Sequence, residues 1–220
     1  MKTTLSTLLS LPVTDVLGGG ADLRLLSEYP SAVCLDGSSA GYYFRPGSVA
    51  SKWLFSLEGG GECVNKEDCA ARAQGDLGSS LAYPATVDLK GLQTADSTVN
   101  PFAGWNQVHI KYCSGDLHMG QQEVASDGMD GMKFAGHLIV DSVLEELRAK
   151  ENLGSADTVI WSGQSAGGMG CFSSLDFVAD KLENATVVGV PIGGFYFSNE
   201  MVSARPQASA HKSAPVPLNP

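Results

Sequence analysis

The sequence predicts an α/β fold in which a mainly parallel sheet carries helices on its faces. Three observations support this. From residue 108 onward, strand-like and helix-like segments alternate, the pattern of successive βα units. The apolar run Val159-Ile160-Trp161 enters a Gly163-Gln164-Ser165-Ala166-Gly167 turn, and a helix-compatible stretch carrying Phe172, Leu175, Phe177, Val178 and Leu182 follows it. A length of 220 residues with no internal repeat allows one domain of ordinary core size.

In chain order, short strands are expected near Tyr42–Phe44, Lys52–Leu57 and Val108–Lys111. A helix is expected over Met132–Lys150, where Leu138, Ile139, Val140, Val143, Leu144 and Leu147 make a broad apolar face and Asn152-Leu153-Gly154 is the stop. A strand over Thr158–Trp161, a helix over Ala166–Lys181 and a strand over Thr186–Val190 complete the series. The span Gly75–Asn100 lacks periodicity and reads as a long loop near a cleft.

The turn around Ser165 carries the chemistry. A serine hydroxyl is a weak nucleophile until a base takes its proton, and a tight strand-to-helix turn lifts it clear of the sheet. Such a turn needs small neighbours, and Gly163, Ala166, Gly167 and Gly168 meet that need. The Ala166 N–H, at the positive end of the following helix, is then aimed at a substrate carbonyl oxygen. Upstream, the strand Lys52–Leu57 runs directly into Glu58-Gly59-Gly60-Gly61. A glycine loop in this place lets a substrate approach the backbone and supplies the other oxyanion N–H.

Further residues carry a resemblance. Cys34-Leu35-Asp36-Gly37-Ser38-Ser39-Ala40-Gly41-Tyr42-Tyr43, Trp53 through Cys63, Asn100-Pro101 with Trp105-Asn106, Tyr112-Cys113-Ser114-Gly115-Asp116 and Ser162 through Gly168 stand in this order. Over roughly Val33 to Phe197, the chain resembles the pectinacetylesterase/Notum family. The resemblance implies an α/β-hydrolase-like fold and a Ser-Asp-His triad that cleaves carboxylic esters, either acetyl esters on a polysaccharide such as pectin or another acyl group. It implies Ser165 as nucleophile and Gly60 or Gly61, with Ala166, as the oxyanion hole. It also implies disulfides Cys34–Cys113 and Cys63–Cys69, leaving Cys171 as a free core thiol. Asp116 and His118, in a glycine-punctuated loop within one of these motifs, are candidate substrate contacts. One departure is visible: Glu62 stands before Cys63, where many members carry an aromatic residue.

Triad order in this fold is Ser, then acid, then His. After Ser165, Asp176 and Asp180 fall on the helix leaving the elbow, and His211 falls in an Ala-, Ser- and Pro-rich tail. The expectation is therefore an incomplete α/β-hydrolase-like domain over residues 1–203, lacking its C-terminal strands, with a disordered tail over 204–220 and its triad acid and base outside the chain. In that form the chain alone is expected to be inactive. The competing reading is a shortened, non-catalytic relative that binds a glycan or acyl ligand. A generic lipase-like hydrolase is a third. His109 is expected on the polar face of its strand and His137 at the start of a helix.

A net charge of −10 argues against nucleic acid as a partner, so none is expected, and it sets up overall repulsion toward an acidic polysaccharide. No run of about 18 apolar residues marks a transmembrane helix. The implied hydrolysis needs no cofactor, and no His/Cys/Asp spacing marks a metal site. The disulfides point to a secreted, oxidising setting. The N-terminus, Met1 to Leu11, resembles a weak signal start without a clear cleavage site, or is the first part of the domain. Asn184-Ala185-Thr186 is a glycosylation sequon. Oligomeric state is not legible.

Overall fold

The computed structural model describes residues 19–122 and 128–195. The expected tail over 204–220 with His211, and the N-terminal stretch Met1 to Leu11, lie outside these residues. Within them, the strands are β1 (Gly20–Leu25), β2 (Gly41–Arg45), β3 (Val49–Leu57), β4 (Thr86–Asp88), β5 (Trp105–Ile110), β6 (Thr158–Gln164) and β7 (Thr186–Ile192). The helices are α1 (Lys66–Arg72), α2 (Gly136–Lys150) and α3 (Ala166–Lys181), with short 3₁₀ turns at Gly91–Gln93 and Leu153–Ser155.

The strands form one sheet in the order β4-β1-β2-β5-β3-β6-β7. β3 pairs in parallel with both β5 and β6, and β6 with β7. β2 runs against β5 and β1, and β4 runs against β1. Only β2 and β4 therefore oppose the common direction. This is the mixed, mostly parallel sheet of an α/β-hydrolase-like fold.

Alternation along the strands decides which face is core. Trp53, Phe55, Leu57, Val108, Ile110, Val159 and Trp161 join one apolar cluster with Ile139, Val143, Leu144 and Leu147 of α2 and Val178 of α3. Phe44, Trp53, Phe55 and Trp161 form a continuous ring ladder across it, with centroids 5.0–6.1 Å apart. The Trp161 indole N–H donates to Ser174 Oγ at 2.9 Å, so this polar edge is satisfied inside the core. Cys171 is a buried free thiol, and burial raises its pKa.

Two of the ordered motifs turn out to be backbone fasteners. The Asn106 side-chain amide lies 3.1 Å from the carbonyls of both Ala50 and Lys52, and its Oδ1 accepts the Gly47 N–H at 2.9 Å, which holds the register shift in β3. Asn100 donates to the Leu92 and Thr94 carbonyls and accepts from the Phe102 N–H.

The structure corrects several boundaries. α2 begins at Gly136 rather than Met132, because the preceding backbone is engaged elsewhere: Lys133 N–H donates to Leu35 and the Phe134 carbonyl accepts from Gln122. The span Gly75–Asn100 is not a structureless loop. It contributes β4 to the sheet edge and a 3₁₀ turn, and Gln93 within it donates to the Val108 carbonyl. β1 and α1 were not anticipated. β7 borders the described sheet, and its Val188, Val190 and Ile192 are exposed. Asn184 is exposed in the turn between α3 and β7.

Cys34–Cys113 links the turn before β2 to the segment after β5, its cysteines 79 positions apart in sequence. A cross-link of that span removes much denatured-state entropy. Replacing both cysteines by serine is expected to lower unfolding stability by about 4 kcal/mol, read as a lower urea midpoint. An unchanged midpoint would contradict this role.

Candidate active site

The site grows from one register. Leu57 of β3 pairs with Gly163 of β6, so the two parallel strands end side by side and their exit loops meet. The exit from β6 is a sharp turn. Ser165 sits at φ +56 and ψ −120, outside the relaxed regions for a residue with a side chain. Its N–H donates to the Ile192 carbonyl and its carbonyl accepts from Met169 N–H, at 2.9 and 3.1 Å. These bonds to β7 and α3 fix the turn from both sides.

Sterics explain the glycines. A methyl group on Gly163 would lie 2.1 Å from the Gly167 carbonyl oxygen, and one on Gly167 would lie 2.0 Å from the Leu57 carbonyl oxygen. A methyl group on Gly59 would lie 2.5 Å from the Gln164 carbonyl oxygen and 3.1 Å from Ser165 Cβ. The glycine loop after β3 therefore rests directly against the serine turn. Ser165 is half-buried, and Ala166 behind it is the first residue of α3. The N–H groups of Gly60, Gly61 and Ala166 have no acceptor among the described residues. A helix start and a glycine loop thus present free donors on either side of a serine.

Glu58 anchors the loop. Its carboxylate pairs with the Lys111 ammonium and accepts the Tyr112 N–H at 2.8 Å. The Glu58 carbonyl lies 2.9 Å from His118 Nε2. His118 is 1% exposed, with its ring against Tyr112 at 4.6 Å between centroids. Asp116 accepts from Ser114 Oγ at 2.6 Å and from the Gly136 N–H at 2.8 Å, where it serves the start of α2. His118 and Asp116 thus sit beneath the loop and engage protein groups. His137 packs on Phe177, joining α2 to α3. Asp176 and Asp180 are exposed along α3, away from the elbow.

On the sheet face opposite the aromatic ladder, a cavity of about 830 Å³ reaches the site at Glu58 and Gln164. Its floor is a polar row of Tyr43, His109, Ser56 and Ser162 on neighbouring strands. His109 is the strand residue the alternation indicated, and burial lowers its pKa. Arg72, which sequence reasoning missed, donates to two carbonyls of the glycine loop, those of Gly60 and Glu62. Among the described residues no group of three or more His, Cys, Asp or Glu could hold a metal ion, and no helix is long and apolar enough to cross a membrane.

A serine on a strained strand-to-helix turn, faced by a glycine loop on the adjacent parallel strand, is the arrangement of a nucleophile elbow in an α/β-hydrolase-like fold. The pectinacetylesterase family model matches residues 19–214, and the chain belongs to that family. It is 36% identical over 180 residues to pectin acetylesterase 5 of Arabidopsis thaliana, covering 80% of this chain and 42% of that protein. It is 37% identical over 168 residues to the palmitoleoyl-protein carboxylesterase notum1 of Xenopus laevis, covering 74% of this chain and 34% of that protein. The solved structure of the Wnt deacylase Notum from Drosophila superposes with a TM-score of 0.72 at 33% identity, over 78% of this chain and 52% of that one. The chain spans less than half the length of the curated relatives it matches. Both disulfides implied by the resemblance, Cys34–Cys113 and Cys63–Cys69, are formed.

His118 gives the site a pH signature. Burial lowers its pKa below the ordinary 6.5, against the opposing pull of the Glu58 carbonyl, Asp116 and Glu58. The unfolded chain then binds a proton that the folded chain refuses. Stability is expected to be full above pH 6.5 and to fall below it, with this residue contributing at most about 1.4 kcal/mol per pH unit. Urea titrations from pH 7.5 to about 5 on the wild type and His118→Gln check it, the variant showing the shallower fall. Equal slopes would contradict the assignment.

Proposed function

We propose that this protein hydrolyses carboxylic esters, with Ser165 as the nucleophile. Ser165 Oγ attacks the ester carbonyl as the triad histidine that the resemblance implies takes its proton, and the oxygen that gains charge is received by the N–H groups of Gly60 or Gly61 and of Ala166. Each such donor contributes about 3 kcal/mol when it is aimed at the transition state rather than the ground state. The C–O bond to the alcohol then breaks as that histidine protonates the leaving oxygen, and water frees the acyl group from Ser165. The observation that carries the reading is the interlock of Gly59 with Ser165, which seats the glycine loop directly against the serine turn. Family membership supports the same reaction class.

The acyl group is proposed to be small, an acetyl ester on a polysaccharide such as pectin. Glu62 follows the glycines and is exposed, and a carboxylate there opposes the seating of a long apolar chain. Asp116 and His118, considered above as substrate contacts, are proposed to act from beneath the loop instead, since their polar groups already hold the Glu58 carbonyl and the start of α2. The two disulfides support an extracellular or other oxidising setting.

Release of p-nitrophenol from p-nitrophenyl acetate tests the proposal. Ser165→Ala is expected to lower kcat by at least about a thousandfold. Undiminished turnover in that variant, or saturable binding of acetylated pectin with no turnover by the wild type, would overturn the hydrolase reading in favour of a binding protein.

A further inference from the structure

We infer that Arg72 is a positioning residue for the oxyanion donors, held in place by α1 and the Cys63–Cys69 disulfide. The inference rests on the ester-hydrolase reading, whose donors it orients.

Three consecutive glycines have little intrinsic preference for any one conformation. Something outside the loop must choose one. In this structure the choice is made at the carbonyls. Arg72 Nη1 donates to the Gly60 carbonyl at 2.8 Å and Nη2 to the Glu62 carbonyl at 3.2 Å. His118 Nε2 meets the Glu58 carbonyl at 2.9 Å. A trans peptide is planar, so its C=O and the following N–H point in opposite directions. Drawing the Gly60 carbonyl toward Arg72 therefore turns the Gly61 N–H away from α1. A planar guanidinium can hold two carbonyls at fixed spacing, and an ammonium can approach only one with the same geometry.

The arginine is itself braced. α1 is only seven residues long, too short to persist without support. Asn65 Oδ1 accepts the Asp68 N–H at 2.9 Å and Asp68 accepts the Val64 N–H at 3.1 Å, which closes its first turn. Cys63, the residue after Glu62, is bonded to Cys69 inside α1. Cys63 N–H also donates to the Gly115 carbonyl at 3.1 Å. Gly115 stands at φ +66, and a methyl group there would lie 2.8 Å from Cys63 Sγ. The Tyr112–Asp116 segment thus supports the loop from below, while the disulfide sets where α1 presents Arg72.

The test uses the full 220-residue chain, p-nitrophenyl acetate turnover, and hydrogen exchange of the peptide covering residues 58–63. In Arg72→Ala, kcat is expected to fall about a hundredfold, the loss typical of one oxyanion donor, with KM within about threefold. Exchange is expected to quicken in 58–63 but not in β6 or α2. Arg72→Lys is expected to recover part of kcat, because one carbonyl remains bound. Where the alanine variant does not fold, the lysine variant carries the test through lowered kcat at retained KM. Wild-type kcat in both variants, or unchanged loop exchange, overturns this inference and leaves the hydrolase reading standing. Faster exchange throughout β6 and α2 also overturns it, since Arg72 would then hold the fold rather than the loop. Where the chain labels at Ser165 with a fluorophosphonate but shows no turnover, the labelling rate replaces kcat and is expected to fall in Arg72→Ala; a wild-type chain with neither turnover nor labelling overturns the hydrolase reading and this inference with it.

Discussion

The exits of β3 and β6 approach until no side chain fits between them. That contact is fixed by six consecutive parallel pairs, from Lys52 opposite Thr158 to Leu57 opposite Gly163. The backbone ladder sets the distance between the strands, and the buried rings of Trp53, Phe55 and Trp161 on one face pin their register. Gly167 must then lie against the Leu57 carbonyl and Gly59 against the Gln164 carbonyl. With both loops packed so closely, Ser165 has no relaxed conformation available, and the surrounding bonds to Ile192 and Met169 hold it in a strained one. The serine turn is therefore a consequence of sheet register, and the aromatic core is what keeps the register.

A second layer sets direction rather than distance. The glycine loop offers carbonyls and N–H groups equally, and a site for a developing oxyanion needs the N–H groups turned outward. Arg72 and His118 engage the loop's Gly60, Glu62 and Glu58 carbonyls, which leaves its N–H groups to the oxyanion role proposed above, and the Glu58 carboxylate ties the loop to the Tyr112 N–H. The Tyr112–Asp116 motif belongs to this layer, through Gly115 beneath Cys63 and Asp116 at the start of α2. Asn100 and Asn106 do comparable work farther away, fastening the segment before β5 and the bulge of β3.

What could be read from the sequence followed how local the signal was. α3 appears with its expected bounds, because the glycine turn and the apolar period state both its start and its face. β3, β6 and β7 were legible as bulky or β-branched runs. β4 was not, since three residues carry no period and its place depends on β1, more than sixty positions earlier. α1 left one readable trace, Asn65 before Lys66-Glu67-Asp68, an N-cap with acids in the first turn. Arg72 left none. Its partners are backbone carbonyls, which every residue has, so only the fold shows which ones it meets. The same holds for His118: its loop is visible in sequence, but whether its ring faces substrate or the Glu58 carbonyl is a matter of packing.

Ser165 is proposed as a nucleophile because this geometry strains its turn and frees the donors around it. The most direct measurement is reaction of the folded chain with a fluorophosphonate, followed by peptide mapping of the adduct. A single phosphonylated peptide carrying the adduct on Ser165 is expected, and none after the chain is unfolded in urea before the reagent is added. An unlabelled folded chain, or an adduct spread over other serines, would contradict it.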